Sequence, residues 1–182
     1  MHRGYYPKMA VDATQLRIVT YPAAVLRQKA TAVEQVDDQV RQVAAKMIAL
    51  MHEAHGVGLA ATQVGLTWRM FVTNPTGEPG DDTVFVNPVL RQPDRELDSA
   101  EEGCLSLPDI RAPIQRPVSI TVEAQDLQGQ TFEVTSSELA ARIWQHETDH
   151  LDGILILDRM SHIDRIANRR AIKQLERDAG RQ

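Results

Sequence analysis

The sequence predicts an α+β fold. A helical apolar pattern lies near the start and others near the end, while short β-like and alternating segments gather between them. Helices and strands do not alternate regularly, which argues against a doubly wound parallel sheet. The chain has 182 residues, and its 42% hydrophobic content is enough for a real core in one domain of ordinary size. No repeat, low-complexity tract or internal linker divides it.

The elements follow in order. Residues 1–15, MHRGYYPKMAVDATQ, lack the continuous apolar segment of a secretory signal and read as an unstructured leader. A single domain is expected over 16–182. Val40, Val43, Ala44, Met47 and Met51 fall at i, i+3, i+4, i+7 and i+11, one face of a helix. Asp37 can cap its start, and Gly56 lies just past its end. Arg69–Thr73 and Thr83–Val86 are β-like, separated by a stretch rich in proline and glycine. Ser119–Glu123 and Gln130–Val134 alternate apolar and polar residues around Asp126-Leu127-Gln128-Gly129, which reads as a hairpin. Thr135 and Glu138 fit a capping box that opens a helix running to His150 or Leu151 and stopping near Gly153. A last helix is expected from Asp164 to Arg177.

Net charge is −5, unevenly placed. From Asp158 to Gln182 seven Lys/Arg face four Asp/Glu, so this tail carries +3 and could dock on an anionic surface. No apolar run approaches the ~18 residues of a membrane span, so no membrane partner is expected, and nothing in the pattern calls for DNA. Cys104 is the one cysteine, so an intramolecular disulfide is impossible and the cytoplasm is the expected compartment.

The chemistry concentrates in WQHETDHLDG, Trp144 to Gly153. Residues i and i+4 of a helix share a face, so His146 and His150 can point at one metal ion. Glu147, beside that face, can serve as a base toward water without ligating the metal. Leu139 and Ile143 continue the same stripe as an apolar flank. A catalytic site of this kind usually needs a third protein ligand. In metallopeptidases of the pattern H-E-x-x-H-x-x-G-x-x-H it comes from downstream, but here the last slot is Ile156. Glu176 is the other downstream candidate, in a basic segment. Cys104, in Glu101-Glu102-Gly103-Cys104-Leu105-Ser106-Leu107-Pro108, offers a thiolate from what reads as an irregular loop. Cys104, His146 and His150 then make a Cys-His-His set with one position open. Gly56-Val57-Gly58-Leu59-Ala60-Ala61-Thr62-Gln63 adds a small-residue run where backbone can approach a ligand, ending in an amide donor.

These three stretches, in this order, resemble the peptide deformylase family from about Leu16 to the last helix. The resemblance implies antiparallel β-sheets packed around a central helix bearing H-E-x-x-H, with a C-terminal helix. It implies that Cys104, His146 and His150 bind one metal, ferrous iron in bacterial members, with zinc, nickel or cobalt able to substitute. Glu147 would act as general base and then acid. The Gln63 amide and the Leu105 N–H would donate to the oxyanion, and Gly58 would hold the substrate backbone. The implied substrate is the N-formylmethionyl end of nascent polypeptides, and formate is released. Val57, Leu139 and Ile143 are the candidates for an apolar methionine slot. The basic C-terminal helix would dock on the ribosome. Two alternatives stand beside this: a metallopeptidase cutting internal peptide bonds, and a non-catalytic module stabilised by an enclosed metal.

Overall fold

The computed structural model describes residues 11–180. The expected leader falls largely on residues 1–10, outside the described residues. Residues 11–15 differ from that expectation. Ala13–Gln15 form a 3-10 turn capped by Asp12, and Val11 and Ala13 pack against the core.

Helix α1, Asp38–Glu53, forms as its pattern predicts. The Asp37 carboxylate accepts from Val40 N–H at 3.0 Å, and the five residues of the predicted stripe are its buried ones. Strands β1 (Gly58–Ala60), β2 (Met70–Thr73), β3 (Thr83–Arg91), β6 (Ile120–Gln125) and β7 (Thr131–Ser136) form one antiparallel sheet in the order β1-β2-β3-β6-β7. Strands β4 (Leu97–Cys104) and β5 (Leu107–Pro117) form a separate two-stranded ribbon.

All four residues of β2 are buried because the large sheet is covered on both faces. Met70, Val72, Val84 and Val86 join the cluster containing the α1 stripe. Phe71 and Phe85 point the other way, toward Trp144 on helix α2, Leu139–Leu151. Their rings stack at 4.7 Å, and Phe85 meets Trp144 at 5.6 Å. A third cluster joins β5 to Leu26, to the short helix α3 (Ile156–Arg159) and to α5 (Arg169–Ala179). Helix α2 thus lies between the sheet and the ribbon, the central position expected of it.

Three expectations are corrected. The capping box at Thr135 does not form: Thr135 lies in β7, and its hydroxyl pairs across the ladder with that of Thr121 at 2.7 Å. The sheet holds this segment extended as far as Ser136, and Glu138 becomes the N-cap. The segment around Cys104 is not an irregular loop. Cys104 ends β4, pairs with Leu107, and leaves Leu105 and Ser106 as a two-residue hairpin loop. The single last helix is two, α4 (His162–Ala167) and α5, because Asn168 interrupts them and donates its side-chain amide to Arg111 O at 2.9 Å.

Candidate metal centre

Three elements converge on one point. Cys104 comes from the end of β4, and His146 and His150 from successive turns of α2. The ligand atoms of the three lie within 4.8 Å of one another, and Cys104 Sγ is 3.2 Å from His150 Nε2. Bonds of about 2.3 Å to sulfur and 2.0 Å to nitrogen place one tetrahedral ion among atoms so spaced. The donor set suits a first-row divalent metal. Among the described residues no fourth side chain of ligating type joins the group.

The surroundings fix which atoms face that point. His146 Nδ1 lies 2.9 Å from Glu102 Oε2. Burial pushes Glu102 up, but bonds to Arg116 and His146, and their charges, overcome it and hold the carboxyl well below the usual range. An ionised carboxylate only accepts, so His146 Nδ1 carries the hydrogen and Nε2 is left for the ion. Burial alone lowers His146, yet its bonds to Cys104 and Glu102 raise it to about 10, so an ion binding there takes the place of the Nε2 proton. His150 is held well below its ordinary value by burial, then by the positive His146 and Arg116. Glu147 is buried, its Oε2 has no hydrogen-bond partner among the described residues, and burial raises it to about 7.

A cleft of about 540 Å³ opens over this group. It is lined by every residue expected to bind metal, act in catalysis or hold substrate except His150, which is 1% exposed and lies beneath the floor. Ile143 is buried on the floor, whereas Val57 and Leu139 are 42% and 53% exposed at the rim. Gly58 has no room for a side chain: a Cβ there would lie 2.4 Å from Glu147 Oε1 and 2.8 Å from Ile143 Cγ2. Ile156, in the distal slot of the peptidase pattern, is buried in the third core cluster. Glu176 instead accepts from Tyr21 OH at 3.2 Å.

The match of a protein-family model decides the family: the one described as polypeptide deformylase covers residues 15–166. The chain belongs to the polypeptide deformylase family. Among curated family members, peptide deformylase 1B of Arabidopsis thaliana, named chloroplastic/mitochondrial, is 42% identical over 150 residues, covering 81% of this chain and 55% of that one. The peptide deformylase of Acidobacterium capsulatum is 40% identical over 163 residues, 88% of this chain and 95% of the relative. The chain spans little more than half the length of the first plant deformylases it matches, 53–61%. Solved deformylase structures share the fold. A plant peptide deformylase crystal structure superposes with a TM-score of 0.88 at 39% identity over 91% of both chains. That of Plasmodium falciparum gives 0.89 at 32% identity over 91% of this chain and 98% of the other.

Sequence reasoning missed the support behind the ligands. Arg116 donates from Nε and Nη2 to Glu102 at 2.6 and 2.9 Å, and from Nη1 to Asp149 at 2.9 Å. Arg142 adds a bond to Glu102 at 2.7 Å. A signal for Arg116 existed. It continues the Ala112, Ile114 alternation on β5, which places an arginine on the buried face.

Proposed function

We propose that this chain removes the formyl group from the N-terminal formyl-methionine of nascent polypeptides, releasing formate. The observation that carries the reading is Glu147: a buried, unpartnered carboxylate beside a Cys-His-His group at the floor of an open cleft. Cys104, His146 and His150 would hold one metal ion, which would supply Lewis-acid chemistry and bring the pKa of a bound water down toward neutrality. Ferrous iron is the ion we assign, with zinc, nickel or cobalt as substitutes that the same soft and imidazole donors accept.

The chain's own groups divide the remaining work. Glu147 accepts a proton from the attacking water and delivers it to the departing amine nitrogen as the C–N bond breaks. Gln63 Nε2 and the Leu105 N–H donate to the oxygen that gains charge as the formyl carbon becomes tetrahedral. Loss of one such donor costs about 10²–10³ in rate. Gly58 holds the substrate backbone, and its missing side chain leaves the Glu147 carboxylate its place. Ile143 forms the base of the methionine slot, and Val57 and Leu139 form its rim. Burying that side chain is worth about 1.5–3 kcal/mol, a preference rather than an absolute requirement.

Two other readings fit less well. A peptidase of the long zinc-binding pattern needs a ligand where Ile156 lies in the core. An enclosed structural metal needs neither a fourth position open to a cleft nor an unpartnered Glu147. Formate release from formyl-Met-Ala, compared with cleavage of an unformylated peptide, separates the enzyme readings. The decisive variant is Glu147→Gln. It should keep one metal per chain by elemental analysis while turnover falls about 10²–10⁴-fold; near-normal turnover in the loaded variant overturns the reading. Anaerobic purification with metal analysis identifies the ion.

We also propose that α5 docks on the ribosome. Ala171, Ile172 and Leu175 face the core, while Arg169, Arg170, Lys173 and Arg177 are exposed on the outer side. Reversing Arg169, Arg170 and Lys173 to glutamate should abolish salt-sensitive co-sedimentation with ribosomes and leave turnover on a dipeptide unchanged. Association that persists in the variant removes α5 from the contact. Among the described residues no helix is long and apolar enough to cross a membrane. The lone cysteine is assigned to the metal and needs no oxidising compartment, so we read the chain as acting in the cytoplasm.

A further inference from the structure

Ser106, the second residue of the β4–β5 hairpin loop, is fully buried yet has no part in the chemistry above. Its hydroxyl oxygen accepts a hydrogen bond from Gln63 Nε2 at 3.2 Å. The other end of the Gln63 amide is also fixed, because Ala60 N–H donates to Gln63 Oε1 at 2.8 Å. A backbone N–H can only donate, so this contact settles which end of the amide is oxygen. The nitrogen carries two hydrogens in the amide plane. With one held by Ser106, planarity dictates the direction of the second, which is donated in a long hydrogen bond to Cys104 Sγ at 3.6 Å. The second hydrogen therefore faces the metal group and the cleft.

The main chain holds the two partners at a set separation. Val19 N–H donates to Gln63 O at 2.8 Å, and Tyr21 N–H donates to Ser106 O at 2.9 Å. One extended segment thus ties together residues that are 43 positions apart. Both Gln63 and Ser106 are buried, so water does not compete for the bond between them.

We propose that Ser106 is a positioning residue: its hydroxyl engages one hydrogen of the Gln63 amide so that the other is presented to the reacting carbonyl oxygen. The inference rests on the reading of Gln63 as an oxyanion donor. Without the hydroxyl, the amide nitrogen loses the anchor that defines its angle, and the donor is present but poorly aimed. The loss falls on an interaction made in the transition state, so kcat should drop while KM changes little.

The test is a double-mutant cycle with a spectroscopic arm. Ser106→Ala should lower kcat about tenfold, less than the roughly 10²–10³-fold expected for removing the donor itself with Gln63→Ala. In the Gln63→Ala background, adding Ser106→Ala should change kcat by less than about twofold, because the hydroxyl then has no amide to direct. Equal costs in both backgrounds would show that Ser106 acts independently of Gln63 and overturn the proposal. In the second arm, side-chain amide resonances of Gln63 are recorded by NMR on zinc-loaded, 15N-labelled protein. The wild type should show two inequivalent protons, one protected from exchange, and Ser106→Ala should lose that protection. Two freely exchanging protons in the wild type overturn the proposal even if the variant does not fold. If the wild type releases no formate, the deformylase reading fails, and the amide spectrum still decides whether Ser106 holds Gln63.

Discussion

A single carboxylate determines which atoms the candidate centre offers to an ion. Glu102 Oε1 and Oε2 are shared among two arginines and His146, so the group stays ionised and can only accept. That fixes the His146 tautomer, which is the usual task of an outer carboxylate in a metal site. Glu102→Gln places an amide where three donors converge and should weaken metal affinity about 10–100-fold. Competition against a chelator measures it, and unchanged affinity removes Glu102 from the support of His146. Gly58 acts by what it lacks. Gly58→Ala would set a methyl group against Glu147 Oε1 and Ile143 Cγ2, and one of them must move. A displacement of about 1 Å in a catalytic group can cost some 10²-fold, so kcat should fall by that order at unchanged metal content. Full activity in this variant would mean that the carboxylate tolerates displacement. The grouping of Cys104 with the two histidines was legible because metal-ligating side chains announce themselves by residue type and helical spacing. The duties of Glu102 and Ser106 were not, because each acts through a partner at least 40 residues away.

Elements were legible where local chemistry decides them. The apolar stripe and Asp37 cap of α1 are local, and the helix forms as they dictate. The start of α2 was misplaced because a good capping signal at Thr135 competes with a nonlocal ladder to β6, and the ladder wins. The break at Asn168 likewise depends on Arg111 O, which lies on another strand. Helix α3 is capped through Asp158. Asp158 Oδ2 accepts from Leu155 N–H at 2.8 Å and also contacts Arg27. Burial raises Asp158, but its bonds to Arg27 and the Leu155 N–H, with the charges of Arg27 and Arg165, bring it below its ordinary 3.8. A carboxylate depressed in the folded state stabilises the fold above its unfolded pKa, and that contribution is lost as pH falls through the folded value. Asp158→Asn should therefore lower stability at pH 7 by no more than about 1 kcal/mol, since the pair is partly exposed and screened. The gap from wild type should close as pH drops below 3.8. A difference that is the same at pH 7 and pH 3 in urea titrations would show that charge plays no part.

At the scale of the whole molecule, the β4–β5 ribbon shares no strand pairing with the five-stranded sheet, yet it must hold Cys104 against two histidines on α2. Apolar packing joins the ribbon to α3 and α5. Among its ties to α2 is a chain of charges, Arg142–Glu102–Arg116–Asp149–Arg159, buried around Arg116 at its centre and exposed at its Arg159 end. The Arg116 and Glu102 side chains are only 5% and 6% exposed. Arg116→Met keeps the volume and removes the charge, leaving two carboxylates that had faced one guanidinium. Each keeps another partner: Glu102 still reaches the helix through Arg142 and His146, whereas Asp149 keeps only Arg159 and loses its bond to the ribbon. Breaking a buried pair from one side costs about 3–5 kcal/mol, and urea denaturation of the metal-free protein should show a loss of that order. The same variant should bind metal more weakly, because the strand end carrying Cys104 and the helix carrying the histidines lose the Arg116–Asp149 bond that helps brace them, and any ion bound only by the folded state adds its binding energy to stability. Chelator addition should therefore lower the wild-type melting midpoint more than that of Arg116→Met. An equal response to chelator in both proteins would mean that the charge chain supports the fold without aligning the metal ligands.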